Sequence, residues 1–203
     1  SRRVIRAVGD PAERFAEDGL RPLRAMRFAA QLGFRLQRGT QAAVAPALPV
    51  VAQVSRERVA EELSRLLVAA HAAAGLRLLH ATGLLGVVIP QLATVPPETV
   101  RHALAVASHD FGPCRARPGR RGAGPPREER DRCRLLRLAG LLHVLPAEDA
   151  MLALVELRLS NRLVRGVGAL VGSRPCLGVG PALHLPGDGE GLRRWLSAAG
   201  PDV

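Results

Sequence analysis

No lysine and no tyrosine occur in these 203 residues, and phenylalanine and tryptophan together number five. With 2% aromatics, the interior must be built from Leu, Val and Ala, which favour helices when they recur every three to four positions. No run of eighteen apolar residues is present, and no basic-then-apolar leader, so neither a membrane span nor a signal peptide is expected. The three cysteines, Cys114, Cys133 and Cys176, are odd in number and form no CxxC pair. Reduced thiols in a cytoplasmic protein are the expectation. The seven aspartates stand at 10, 18, 110, 131, 149, 188 and 202, so no Asp-x-Asp exists.

What is abundant is arginine. All 29 cations are Arg, giving a net charge of +11. Residues 1–38 carry nine Arg against four acids, and residues 112–137 carry nine against three, which accounts for the whole excess. Two separate basic segments suit two contact surfaces for a polyanion. A solvated face together with an arginine-rich loop would give the same map.

No strand-like alternation persists over five residues, and the chain reads as all-α. A helix is expected from Asp18 to Leu32, ended by Gly33, and a second from Thr40 to before Pro46. Ser55 is placed to cap a helix that Gly75 closes, with apolar positions 59, 63, 66, 67 and 70. Further helices are expected at 97–108, 134–144, 147–159, 161–172 and 190–199, the last including Trp195. Residues 112–133, rich in Gly, Pro and Arg, read as a mobile loop.

The stretch FAEDGLRPLRAMRFAAQLGF, residues 15–34, sets acids beside three evenly spaced arginines in an apolar segment. On one helix Asp18 and Arg21 would be surface neighbours, with Arg24 and Arg27 continuing the row. A surface ion pair of that kind contributes only a few tenths of a kcal/mol. Carboxylate and guanidinium together offer more. One only accepts and the other only donates, so side by side they match an amino donor next to a ring-nitrogen acceptor. Cytosine and adenine present that pattern on their pairing edges. Guanine and uracil present the reverse and would leave groups unpaired.

Residues 3–92, through RVIRAVGDPAERFAEDGLRPLRAMRFAAQLGF, VSRERVAEELSRLL and GLRLLHATGLLGVVIPQL, resemble the tRNA nucleotidyltransferase (CCA-adding enzyme) and bacterial poly(A) polymerase family. The later RLAGLLH, LRLSNRLVRGVGALV and LRRWLSAAG resemble its helical body more loosely. The resemblance implies an elongated helical array, with a neck over 1–75 and a body over 76–203. It implies that the Glu-Asp-x-x-Arg motif, here Glu17, Asp18 and Arg21, serves as a protein template for the incoming base. Asp18 and Arg21 would pair with the base, while Glu17 would orient Arg21 and cap the helix. Arg24 and Arg27 would reach phosphate or brace the neck, and bracing is the favoured role. The segment Ser55 to Leu63 would buttress the neck. Gly19 is expected to weaken the first turn, and Pro22 to be tolerable only within it.

The resemblance further implies CTP and ATP as substrates, the tRNA acceptor arm as partner and Mg²⁺ as cofactor. The family places the metal carboxylates in a head domain before the neck, so this chain alone is expected to be inactive. Its relatives include poly(A) polymerases, from which the template motif does not separate it. Some also carry a His-Asp phosphohydrolase site, but here LLH runs into Val144, and the only His-Asp is His109–Asp110. A non-catalytic helical RNA-binding module would explain the charge map equally well, leaving the motif without a task.

Overall fold

The computed structural model describes residues 3–109 and 126–173. The expected helix at 190–199 lies outside them. Eleven α-helices are described, with one short parallel pairing of β1 (Val4–Ile5) with β2 (Arg35–Leu36) as the departure from pure helix. The described residues are thus all-α in architecture, as expected.

Helix α1 (Pro11–Glu17) starts where Asp10 Oδ1 accepts the Ala12 and Glu13 N–H groups at 2.7 and 3.2 Å, with Pro11 in the first turn. Helix α2 (Arg21–Leu32) ends on Gly33, whose φ of 64° is the left-handed conformation that spares glycine a steric penalty. The single helix expected from Asp18 is therefore two helices broken at residues 18–20. Pro22 falls in the first turn of α2, where its missing N–H had no helical partner to lose. Past α3 (Arg38–Ala42), helix α4 (Val44–Val51) runs through both Pro46 and Pro49 instead of stopping before Pro46. Pro46 lies in the first turn, and burial of Val44, Ala47 and Val51 offsets the hydrogen bond lost at Pro49.

Helix α5 (Arg56–Leu67) begins after Ser55, whose hydroxyl makes no cap bond. It stops at Leu67, and α6 (Ala72–Ala81) follows, so Gly75 does not close a helix. It lies inside α6, where an added Cβ would come within 2.8 Å of Ala30 and 3.0 Å of Leu66. That close approach seats α6 on α2 and α5. Helices α7 (Leu84–Val88) and α8 (Pro97–Ala107) come next, separated by a 3₁₀ turn at Pro90–Thr94. Helix α9 (Arg127–Leu142) begins inside the stretch expected to be loop. Glu128 and Glu129 at its positive end, with Asp131 pairing to Arg134 at 3.0 Å, favour helix over coil there. Helices α10 (Ala147–Glu156) and α11 (Asn161–Gly172) pack on each other, and α11 also on α9.

One apolar cluster runs from Phe15 to Val171. Buried polar groups tie the helices across this cluster. Arg137 of α9 donates to the Leu67 and Ala69 carbonyls, answering the C-terminal end of α5. Arg56 donates to the carbonyls of Val87, Val88 and Glu156, closing the ends of α7 and α10 from the start of α5. His143 is 2% exposed, with Nδ1 2.8 Å from the Gly140 carbonyl and its ring edge-on to His102. Cys133, buried in α9, is disulfide-bonded, against the expectation of reduced thiols. The other two cysteines lie outside the described residues.

The strongest of these ties is Arg27 to Glu62, Nε to Oε2 at 2.5 Å, with side chains only 8% and 7% exposed. Arg27 also donates to Gln31 at 2.8 Å and lies 4.0 Å over the Phe28 ring. Breaking a buried pair strands a charge. Glu62→Ala is expected to lower stability by about 3–5 kcal/mol in urea denaturation, whereas the double change Arg27→Met with Glu62→Leu recovers most of that loss. Equal losses for single and double variants would show that the pair is not what holds α2 to α5.

Candidate nucleotide-reading site

The turn between α1 and α2 gathers the acid–arginine motif. Glu17 is the last residue of α1, Asp18 is extended at φ −148° and ψ 105°, and Arg21 is the first residue of α2. The Arg21 N–H donates to the Asp18 carbonyl at 3.0 Å, so a tight turn, rather than one helix face, makes the two neighbours. Glu17 therefore does not cap α2. The turn depends on Gly19, where an added Cβ would lie 2.6 Å from the Val50 carbonyl oxygen and 3.0 Å from Val54. Gly19 is thus a point of close packing against α4, not a weak spot inside a helix.

The hydrogen bonds leave each reading group half engaged. Asp18 Oδ1 accepts the Leu20 N–H at 3.0 Å and meets Arg58 Nη2 at 3.5 Å. Its Oδ2 has no partner among the described residues, and the side chain is 27% exposed. Arg21 Nη1 donates to Glu17 and, at 2.8 Å, to the Arg14 carbonyl. Among the described residues its Nε and Nη2 have no acceptor. A free carboxylate oxygen and a free guanidinium edge, three residues apart across a turn, are the acceptor and donor that an amino-plus-ring-nitrogen edge requires.

Glu17 is shared. Its carboxylate takes Arg21 and also Arg14, the latter at 3.0 Å to both oxygens. The Arg21 and Arg14 hydrogen bonds hold its pKa below the model-compound 4.5. A depressed acid stabilises the fold above that value and loses its contribution as pH falls through the lower folded value.

Arg21, Arg24 and Phe28 follow one another along the solvent face of α2 and open on a cavity of about 350 Å³. Its other walls are Ile5 to Val8 on and after β1, Arg14 and Phe15 of α1, and Thr40. The β1–β2 pairing and the Ala7 N–H to Thr40 Oγ1 bond at 3.1 Å hold the first wall in place. Arg24 is exposed and Phe28 is 38% exposed, whereas Arg27 points the other way into the core. Of the five residues singled out in the sequence, Arg21 and Arg24 line the cavity, Glu17 is joined to it through its bond to Arg21, and Arg27 is turned away. Asp18 lies outside the cavity lining. The contribution of Arg58 was not visible in the sequence, because it acts from 40 residues away, whereas Arg14 meets Glu17 three positions on within α1.

Two outcomes follow from this geometry. Gly19→Ala is expected to destabilise the chain by about 1–3 kcal/mol in thermal or urea unfolding, since backbone at Val50 must yield. In a carboxyl-carbon NMR titration Glu17 is expected to titrate below 4.5. Its midpoint should rise toward 4.5 in Arg21→Ala, more than in Arg14→Ala. An unshifted Glu17 in the unaltered chain would mean that Arg21 is not held by it.

Residues 33–95 match the family described as "Probable RNA and SrmB-binding site of polymerase A". The CCA-adding enzyme of Anoxybacillus flavithermus is 40% identical over 99 residues, 49% of this chain and 25% of that protein. The CCA-adding enzyme of Geobacillus stearothermophilus is 46% identical over 83 residues, 41% of this chain and 20% of the other. The CC-adding tRNA nucleotidyltransferase of Halalkalibacterium halodurans is 47% identical over 81 residues, covering 40% and 21%. The match thus spans a fifth to a quarter of the length of these curated relatives. The crystal structure of the Bacillus stearothermophilus CCA-adding enzyme in complex with CTP superposes with a TM-score of 0.55 at 33% identity, over 85% of this chain and 38% of that one. By sequence and by helical arrangement, this chain is similar to part of the tRNA nucleotidyltransferases.

Proposed function

We propose that this chain is the base-selecting and RNA-binding portion of an RNA 3′-end nucleotidyltransferase that adds CCA to tRNA from CTP and ATP. The carrying observation is the turn at Asp18–Arg21, closed by one backbone hydrogen bond, which leaves one carboxylate oxygen and one guanidinium edge without partners among the described residues. Asp18 Oδ2 would accept the amino group of C or A, and Arg21 would donate to the neighbouring ring nitrogen. Glu17 and the Arg14 carbonyl hold Arg21 by one nitrogen, a positioning role. Arg24 faces the same cavity, suited to phosphate or ribose. Arg27, buried against Glu62, braces the helix, and residues 1–75 serve as the neck on a body made by the rest.

In this reading the tRNA acceptor arm lies against the basic surface through phosphate contacts, and the protein works in the cytoplasm. No helix among the described residues is long and apolar enough to cross a membrane. Mg²⁺ is assigned to residues other than those described, among which no cluster of three or more His, Cys, Asp or Glu could hold a metal ion. Poly(A) addition remains the second reading, because adenine fits the same donor–acceptor pair and the matched family is described by polymerase A.

The test is base selectivity. Asp18→Ala is expected to erase the preference of CTP and ATP over GTP and UTP, a loss of about tenfold or more for one charged hydrogen bond, with RNA affinity little changed. A non-catalytic RNA binder would show no such preference to begin with, and its RNA affinity would be equally indifferent to the change. An unaltered preference in the variant would overturn the assignment.

A further inference from the structure

A second concavity lies far along the chain from the motif. It is about 520 Å³, bounded by the first half of α9 and the start of α11, and lined by Arg127, Arg132, Arg134 and Arg162 above a floor of Leu135 and Leu163. Two acids share it, Glu128 and Asp131, so the lining carries a net charge of +2. Asp131 is occupied already, 3.0 Å from Arg134 Nη1 and 4.0 Å from Arg127 Nε. Arg132 and Arg162 are exposed and have no ion pair among the described residues. Arg134, 27% exposed, has a buried Nε that finds no acceptor among the described residues. Buried donors without acceptors are costly, and an oxyanion in the groove would satisfy this one.

The start of α11 adds to the same end. Ser160 stands at its N-cap in an extended conformation and lines the groove, yet its hydroxyl makes no cap bond, and no acid lies in the first turn. Among the described residues no side-chain cap or first-turn acid answers the positive end of α11, in contrast to α9, which carries Glu128 and Glu129. Four guanidiniums, a donor without an acceptor and an open helix end converge on a space large enough for a phosphate and its sugar.

We propose that this groove is an anion site that takes a phosphodiester of an RNA backbone. It lies outside residues 33–95, which match the RNA-binding family, and outside the base-reading turn. It would be a second anchor whose contacts are electrostatic and indifferent to sequence. The proposal rests on the reading of this chain as an RNA binder but not on the base-selecting role of Asp18. Its arginines come partly from the basic segment 112–137 and partly from α11, where charge counting gave no excess.

The test uses the whole 203-residue chain and a labelled RNA hairpin with a single-stranded 3′ end, titrated at several salt concentrations. Inorganic phosphate and CTP are titrated separately. The variant is Arg132→Ala with Arg162→Ala. Both side chains are exposed, so folding is expected to be intact, and Arg132→Lys with Arg162→Lys keeps the charge. The Ala variant is expected to bind RNA about tenfold more weakly, with the slope of log affinity against log salt shallower by about one to two units. The Lys variant should recover most of both. CTP affinity and its preference over GTP should not move. Unchanged RNA affinity and slope in the Ala variant would overturn the proposal, as would an unaltered chain that binds no RNA. Tight binding of inorganic phosphate that is lost in the Ala variant, with RNA binding unaffected, would make the groove a site for a free anion and equally overturn it. Asp18→Ala fails or succeeds on base preference alone, so the two readings can fall separately.

Discussion

Two charges buried against each other, Arg27 and Glu62, fix which way α2 faces. A helix of twelve residues has no intrinsic preference for one orientation beyond its apolar stripe. Leu23, Met26 and Ala30 supply that stripe, and Arg27 lies within it. The guanidinium is accepted only because α5 presents Glu62 at the one place where it can be met. A rotation that kept the apolar contacts but moved this pair apart would strand both charges, so the pair selects one register more sharply than the leucines can. With that orientation set, Arg21, Arg24 and Phe28 must face outward, and the cavity follows from their exposure.

Below the level of orientation, the site is a turn. The distance between Asp18 and Arg21 is governed by one backbone hydrogen bond and by the close contact of Gly19 with Val50. Side-chain rotamers adjust within that frame. Glu17 then removes much of the freedom of the longer side chain by holding it at one nitrogen. A pre-positioned donor beside a pre-positioned acceptor loses less entropy on binding than two mobile groups would.

Legibility in the sequence followed the range of the forces involved. The end of α2 at Gly33 and the starts of α8, α10 and α11 depend on local glycine, proline and acid placement, and those positions were readable. The break at 18–20 was not, because Glu-Asp-Gly reads locally as a helix start and only the approach of Val50, 31 positions away, demands a bare glycine there. Helix α4 was misjudged for a similar reason. Its prolines argue against helix while its burial argues for it, and burial is a tertiary fact. Residues 127–133 looked too polar to order, yet their charges sit at helical spacing and support one another. The spacing of Asp18 and Arg21 pointed to them as neighbours on one helix face, and the chain brings them together through a turn closed by a backbone hydrogen bond. What it could not show was Arg58 on the Asp18 carboxylate, 40 positions away. Glu62 left a faint signal, an acid on the buried face of α5 that mirrors the arginine on the buried face of α2.

Arg56 has a consequence of a different kind. Its guanidinium reaches carbonyls 31, 32 and 100 residues further along, at the ends of two helices. Each of those helix ends would otherwise need its own partner. One side chain serving both makes their order interdependent, and it closes a long loop of chain whose entropy rises only slowly with length. The α1–α2 turn and the groove between α9 and α11 are thus built on one continuous apolar cluster, which Arg56 helps to close.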